Sequence, residues 1–155
     1  MSGAHHKIHF DVVESWETLP DGWSFTEVAG VACDSRDNVY VFCRGDHPLI
    51  VFDKDGHFLD AWGEGIFDNP HGIFIDREDR VHLVDCGDHT VRTFTTDGRL
   101  LSMLGEPGVA SDTGFAIDVS PVTHAGAPFN KVTNVAVCPD AVSYTHLRAH
   151  ETRYD

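Results

Sequence analysis

Apolar residues fall in short runs such as Val39-Tyr40-Val41-Phe42 and Leu49-Ile50-Val51-Phe52, broken by clusters of Asp, Asn and Gly. Runs this short, filled with β-branched and aromatic residues, predict strands and leave no room for a helix of useful length. The first group of runs predicts strands near 30–33, 39–42, 49–52 and 59–62. Ser35-Arg36-Asp37-Asn38 and Lys54-Asp55-Gly56 lie between them, and their side chains favour turns and positive φ.

The pattern then repeats. Shifting the chain by 42 residues lays 30–63 on 72–105 without a gap, with 12 identities in 34 pairs. Among the identities are Gly30/Gly72, Asp34/Asp76, Gly45/Gly87, His47/His89, Phe52/Phe94 and Gly56/Gly98. A period in the low forties with four strands per unit is the signature of a β-propeller blade, and a β-sandwich does not explain an ungapped self-match. The predicted fold is therefore all-β, with blades at 25–67 and 68–105.

A third unit starts at 129, where 129–138 overlays 67–76 at an offset of 62, which is one period plus 20 inserted residues. The insert at 106–128 is rich in Gly, Ala, Ser and Pro and predicts a long loop. Residues 1–24 form a separate N-terminal segment. Within it 8–16 alternates like a strand and is a candidate outer strand completing a last blade. The third unit stops at 141. Residues 142–152 resemble the conceptual translation of a transposase adapter used to build sequencing libraries, so 142–155 is expected to be a non-native tail on a truncated chain of about two and a half blades.

Charge narrows the partners. Asp and Glu number 25 against 11 Lys and Arg, a formal charge of −14. Nucleic acid is not an expected partner, because its affinity comes from cations that neutralise phosphates. An anionic membrane surface is disfavoured for the same reason, and no apolar run nears the roughly 20 residues that span a bilayer. Met1-Ser2-Gly3-Ala4-His5-His6 lacks the charged and apolar regions of a signal peptide. Cys33, Cys43, Cys86 and Cys138 contain no CxxC pair and are expected as buried thiols.

Val31-Ala32-Cys33-Asp34, Cys43-Arg44-Gly45-Asp46-His47 and Asn69-Pro70-His71-Gly72-Ile73 together resemble the NHL-repeat propellers. More narrowly, they are similar to peptidyl-α-hydroxyglycine α-amidating lyase and its bacterial relatives. The likeness spans about 25–140. It implies a six-bladed propeller with zinc near its axis, and cleavage of a C-terminal α-hydroxyglycine into a peptide amide and glyoxylate. It also implies that His71 is one of three zinc histidines, that Arg44 is the active-site arginine, and that Val31 and Ile73 offer backbone carbonyls to a structural calcium. The catalytic tyrosine and the other two zinc histidines would lie beyond Asp140, so this chain alone is expected to be inactive and to hold no metal tightly. Asn134 departs from the family, which commonly has an acidic residue there.

Two function classes follow: the zinc-dependent lyase acting on a small peptide, and a non-catalytic NHL scaffold that binds a peptide or protein ligand. Arg44 breaks the repeat, since its partner is Cys86, and a residue that escapes a repeat is a candidate for function. His47 and His89 recur after Gly-Asp in both units, which predicts structural hydrogen bonds to Asp46 or Asp88.

Overall fold

The computed structural model describes residues 8–115, 123–124 and 126–137, and the backbone of 143–147. The first unit is a four-stranded antiparallel sheet of β1 (Val28–Cys33), β2 (Val39–Cys43), β3 (Leu49–Phe52) and β4 (Phe58–Trp62), in that order. A second sheet repeats it with β5 (Pro70–Ile75), β6 (Val81–Asp85), β7 (Thr90–Phe94) and β8 (Leu100–Leu104). β9 (Val132–Val137) and β10 (Ser143–Leu147) pair as a two-stranded sheet. There is no helix among the described residues, hence none long and apolar enough to cross a membrane.

The repeat extends to register. Gly30 pairs with Phe42 and Val31 with Val41 in the first sheet; Gly72 pairs with Val84 and Ile73 with Leu83 in the second. Each ladder shifts by one residue at the same place, between Val28 and Gly30 and between Pro70 and Gly72. The third unit follows suit, with Val135 opposite Thr145, Asn134 opposite His146 and the shift between Val132 and Asn134. β10 thus falls in the slot of β2 and β6, within residues that the sequence assigns to the non-native tail. A ladder needs only backbone N–H and C=O groups and an open strand edge, which β9 supplies.

Asp34 and Asp76 close the first hairpin of each complete unit. Asp34 Oδ1 accepts from the backbone of Arg36 and Asn38, and Asp76 Oδ1 from Glu78 and Arg80, at 2.9–3.0 Å. The hairpin tips, Asp37 and Asp79, sit at φ 64° and 56°, which Asp tolerates better than most residues. Burial opposes the ionisation of Asp76, yet the His82 hydrogen bond and those from Arg80 and Glu78 hold its carboxyl below the ordinary value.

Both faces of the sheets are apolar, so the sheets stack. Tyr40, Phe42, Leu49 and Val51 of the first sheet meet Val81, Leu83 and Phe94 of the second, with Trp62 and Phe67 packed alongside. On its other face the second sheet contributes Val84 and Val91, which meet Phe129, Val132 and Val135 of the third unit. The opposite face of the first sheet, with Val41, Ile50 and Phe52, is covered by Trp16, Leu19, Trp23 and Phe25 from the N-terminal segment.

Two expectations need adjusting. The alternating residues 8–16 form no strand among the described residues; Ile8, Phe10 and Val12 are 78, 87 and 90% exposed, because no neighbouring strand takes up their backbone groups. Cys43 and Cys86 are buried, but Cys33 is exposed at the end of β1, a strand with a neighbour in its sheet on one side only. Cys138 lies outside the described residues. The described residues of the insert at 106–128 belong to none of the named strands, and its limbs are pinned: Ser111 N–H donates to Phe129 O at 2.8 Å and Thr123 N–H to Thr113 O at 3.0 Å.

β1, β5 and β9 lie side by side at the junctions between units, and two glycines set their spacing. A Cβ on Gly72 would lie 2.7 Å from the backbone oxygen of Thr133, whereas one on Gly30 would lie 2.9 Å from a methyl of Ile73. A side chain can rotate away, whereas the backbone of a strand cannot. We expect Gly72→Ala to cost about 1–3 kcal/mol in chemical denaturation, and Gly30→Ala clearly less. Equal losses in the two variants would contradict the packing described here.

Candidate functional site

The register shift near the start of β1, β5 and β9 inserts one unpaired residue per unit: Ala29, His71 and Thr133. A bulge of this kind turns its side chain away from the regular alternation. These three residues meet at one open cavity of about 330 Å³, lined also by Val31, Gly72 and Ile73. The structure therefore brings together three of the four residues singled out from the sequence: Val31, His71 and Ile73.

His71 is oriented by its neighbour. Its Nδ1 lies 3.0 Å from the backbone oxygen of Thr133. A carbonyl only accepts, so Nδ1 carries a proton and donates it, which leaves Nε2 outside this bond. Metal-ligating histidines are held in this way, one ring nitrogen donating to a carbonyl while the other stays free. Val31 and Ile73 occupy equivalent positions 42 residues apart on adjacent strands, and Val135 is the third of the series. Backbone carbonyls of such a series are hard oxygen donors suited to calcium. The residues implied for the two metals meet here only in part: one imidazole stands at the cavity, and Val31 and Ile73 line it. Among the described residues no group of three His, Cys, Asp or Glu side chains converges on a metal position.

Arg44 follows β2 and reaches across to the second unit. Its Nε donates to Pro70 O at 3.0 Å, one residue before His71, and its Nη1 to Glu27 Oε2 at 3.1 Å. It stands beside the cavity without lining it. The Glu27 partner was not foreseen, since nothing in the repeat marks that residue.

Sequence reasoning also missed the network beneath the loop that leads to His71. Asp85 is fully buried and accepts from the backbone of Asp68 at 2.6 Å, Asn69 at 2.9 Å and Gly87 at 2.8 Å. Arg92, also buried, bonds Asp88, lies 3.9 Å from Asp85, and covers the Phe67 ring at 5.6 Å. The signal was present as a double departure from the repeat: Asp85 stands where the first unit has Cys43, and Arg92 where it has Ile50.

His47 and His89 do make hydrogen bonds, but not with the aspartates expected. His47 Nδ1 contacts Glu64 Oε1 at 2.8 Å and its ring stacks on Trp23 at 3.3 Å. His89 Nδ1 accepts from the backbone N–H of Lys131 at 3.0 Å, tying the second unit to the third. The difference arises because each histidine turns toward whatever the preceding or following segment offers.

No family model matches this chain, and no curated protein matches it. Among solved structures it is similar to a protein of Bacteroides fragilis NCTC 9343 described as a candidate exported protein, with a TM-score of 0.55 and 15% identity. The likeness covers 82% of this chain, and the chain spans 31% of that structure's length. At this identity it speaks to fold alone.

Burial, and then the Lys131 cation, hold the His89 imidazole below its ordinary value of 6.5. The unfolded chain therefore takes up the proton more readily. This contribution to stability is complete above the unfolded value and is lost as pH falls below about 6.5. We expect His89→Asn, which tolerates the φ of 64° at this position, to reduce the loss of melting temperature between pH 7 and pH 5. A variant as acid-sensitive as the unmodified chain would contradict this assignment.

Proposed function

We propose that this chain is part of an NHL-type six-bladed propeller whose open cavity belongs to a lyase of the peptidyl-α-hydroxyglycine type. The observation that carries the reading is the convergence of His71, Val31 and Ile73 on one cavity, with Arg44 bonded to the carbonyl one residue away. The two four-stranded sheets are then successive blades, and β9 with β10 the start of a third.

His71 would supply one zinc ligand through Nε2, its ring fixed by the bond to Thr133, and Val31 and Ile73 two carbonyl ligands to calcium. When bound, zinc would act as a Lewis acid toward the substrate's hydroxyl or carboxylate. Arg44 holds a fixed cation at the rim, where it can offset charge that develops as the C–N bond breaks and glyoxylate leaves. Its bond to Glu27 restrains the guanidinium, and its bond to Pro70 O ties its position to that of His71. The buried Asp85–Arg92 network holds the loop before His71 and so sets where the imidazole stands.

A single histidine is a weak zinc site, since a catalytic zinc normally has three protein ligands. We expect zinc to be retained only in a form of the protein that carries the complete ring. There His71→Ala should remove both the zinc and glyoxylate release. Arg44→Ala should keep the zinc and slow release on the order of 100-fold. Full zinc and full glyoxylate release in His71→Ala would sink the lyase reading. Absence of stoichiometric zinc from the unmodified ring would favour the non-catalytic scaffold that binds a peptide or protein ligand.

A further inference from the structure

β8 ends its sheet: it pairs with β7 on one side and, among the described residues, with no strand on the other. Its five residues, Leu100-Leu101-Ser102-Met103-Leu104, are all exposed and none is charged. An edge of this composition is a template for pairing, because its outward N–H and C=O groups meet no strand and its side chains gain by leaving water. The exposure does not come from an uncovered face alone. Leu101 is the extra residue of the bulge between Thr93 and Phe94, and Leu59 holds the same place in β4. The first sheet is packed on both faces, yet Leu59 is 49% exposed, against 41% for Leu101. That position belongs to the edge.

The two outer strands share the bulge and differ in charge. Asp60 stands at the centre of β4, so a second β4 laid alongside would bring like charges together. Thr18 also bridges to His57, just ahead of that strand. In β8 the place of Asp60 is taken by Ser102. The charges around β8 work the other way: Arg99 immediately precedes it and Glu106 follows two residues after its end, both exposed. Two β8 strands laid antiparallel about a two-fold axis bring Arg99 of each copy to the end that carries Glu106 of the other, whereas a parallel pair sets like against like. We propose that β8 is a self-association edge, at which two copies of this chain join β8 to β8, antiparallel, in one continuous sheet. The uncharged residues 100–104 meet along the seam, and the two Arg99–Glu106 pairs fix its direction. This pattern selects a second copy over an unrelated strand, because the edge is complementary to itself. With five residues a side the contact is smaller than a permanent dimer needs, so the association is weak and reversible. It is independent of any chemistry at His71.

The test is sedimentation equilibrium of the 155-residue chain from about 5 to 200 μM, with amide exchange followed at both ends of that range. We expect a monomer–dimer equilibrium, and exchange at 100–104 that slows as concentration rises. Ser102→Asp should weaken dimerisation by about 10-fold or more, since it places on β8 the charge that β4 carries. Arg99→Glu and Glu106→Arg should each weaken it, and the two together should restore it, an outcome that damage to the fold by either change would not produce. Should Ser102→Asp fail to fold, the exposed pair decides by itself. A monomer at every concentration would overturn the proposal. So would dimerisation that ignores Ser102→Asp, a double variant no tighter than the single ones, or concentration-dependent protection at 132–137 in place of 100–104.

Discussion

A four-stranded sheet with apolar residues on both faces cannot satisfy itself; it needs a neighbour on each side. β2, β3 and β6 are buried along nearly their whole length, with no polar face to offer to water. Everything else follows from that. The second sheet is covered by the first on one side and by β9 on the other, and the first recruits an N-terminal cap of aromatic residues for its remaining face. Where no neighbour arrives, the surface stays apolar: Leu100, Leu101, Met103 and Leu104 are exposed along β8. Burial of one aromatic or branched side chain is worth about 1.5–3 kcal/mol, so each absent neighbour removes several times that amount from the total.

Much of the fold could be read from residues. The 42-residue self-match, and the Asp and Gly residues at fixed offsets, carried the strands and hairpins, because turn chemistry is local. The bulge that aims His71 was not legible, since a register shift is a property of two strands and neither shows it alone. The Glu27 partner of Arg44 was invisible for a similar reason: a contact between 27 and 44 depends on how β1 and β2 are spliced, not on any spacing rule. The alternation at 8–16 was read correctly as a pattern, but a strand is an agreement between neighbours, and the pattern alone cannot make one. Asp85 and Arg92 were legible only by asking where the second unit departs from the first, and in company.

The candidate site is therefore held from beneath more than from its own members. His71 depends on the carbonyl of Thr133, sixty-two residues away, and on a loop whose backbone N–H groups end on the buried Asp85. A carboxylate that accepts three or more backbone bonds in a dry setting is a rigid fixture, because releasing any one leaves a buried polar group without a partner. The geometry at the cavity inherits that rigidity.

The shared register has a further consequence for how such a surface changes over time. The bulge delivers one side chain per unit to a common opening, and its ladder contacts are made by backbone alone. Ala29, His71 and Thr133 are thus three interchangeable sockets around one mouth. Replacing what they hold alters the chemistry on display while leaving strand pairing, hairpins and stacking untouched. A lineage built this way can exchange one ligand set for another by substitutions at a few bulge positions, with little disturbance to the frame that presents them.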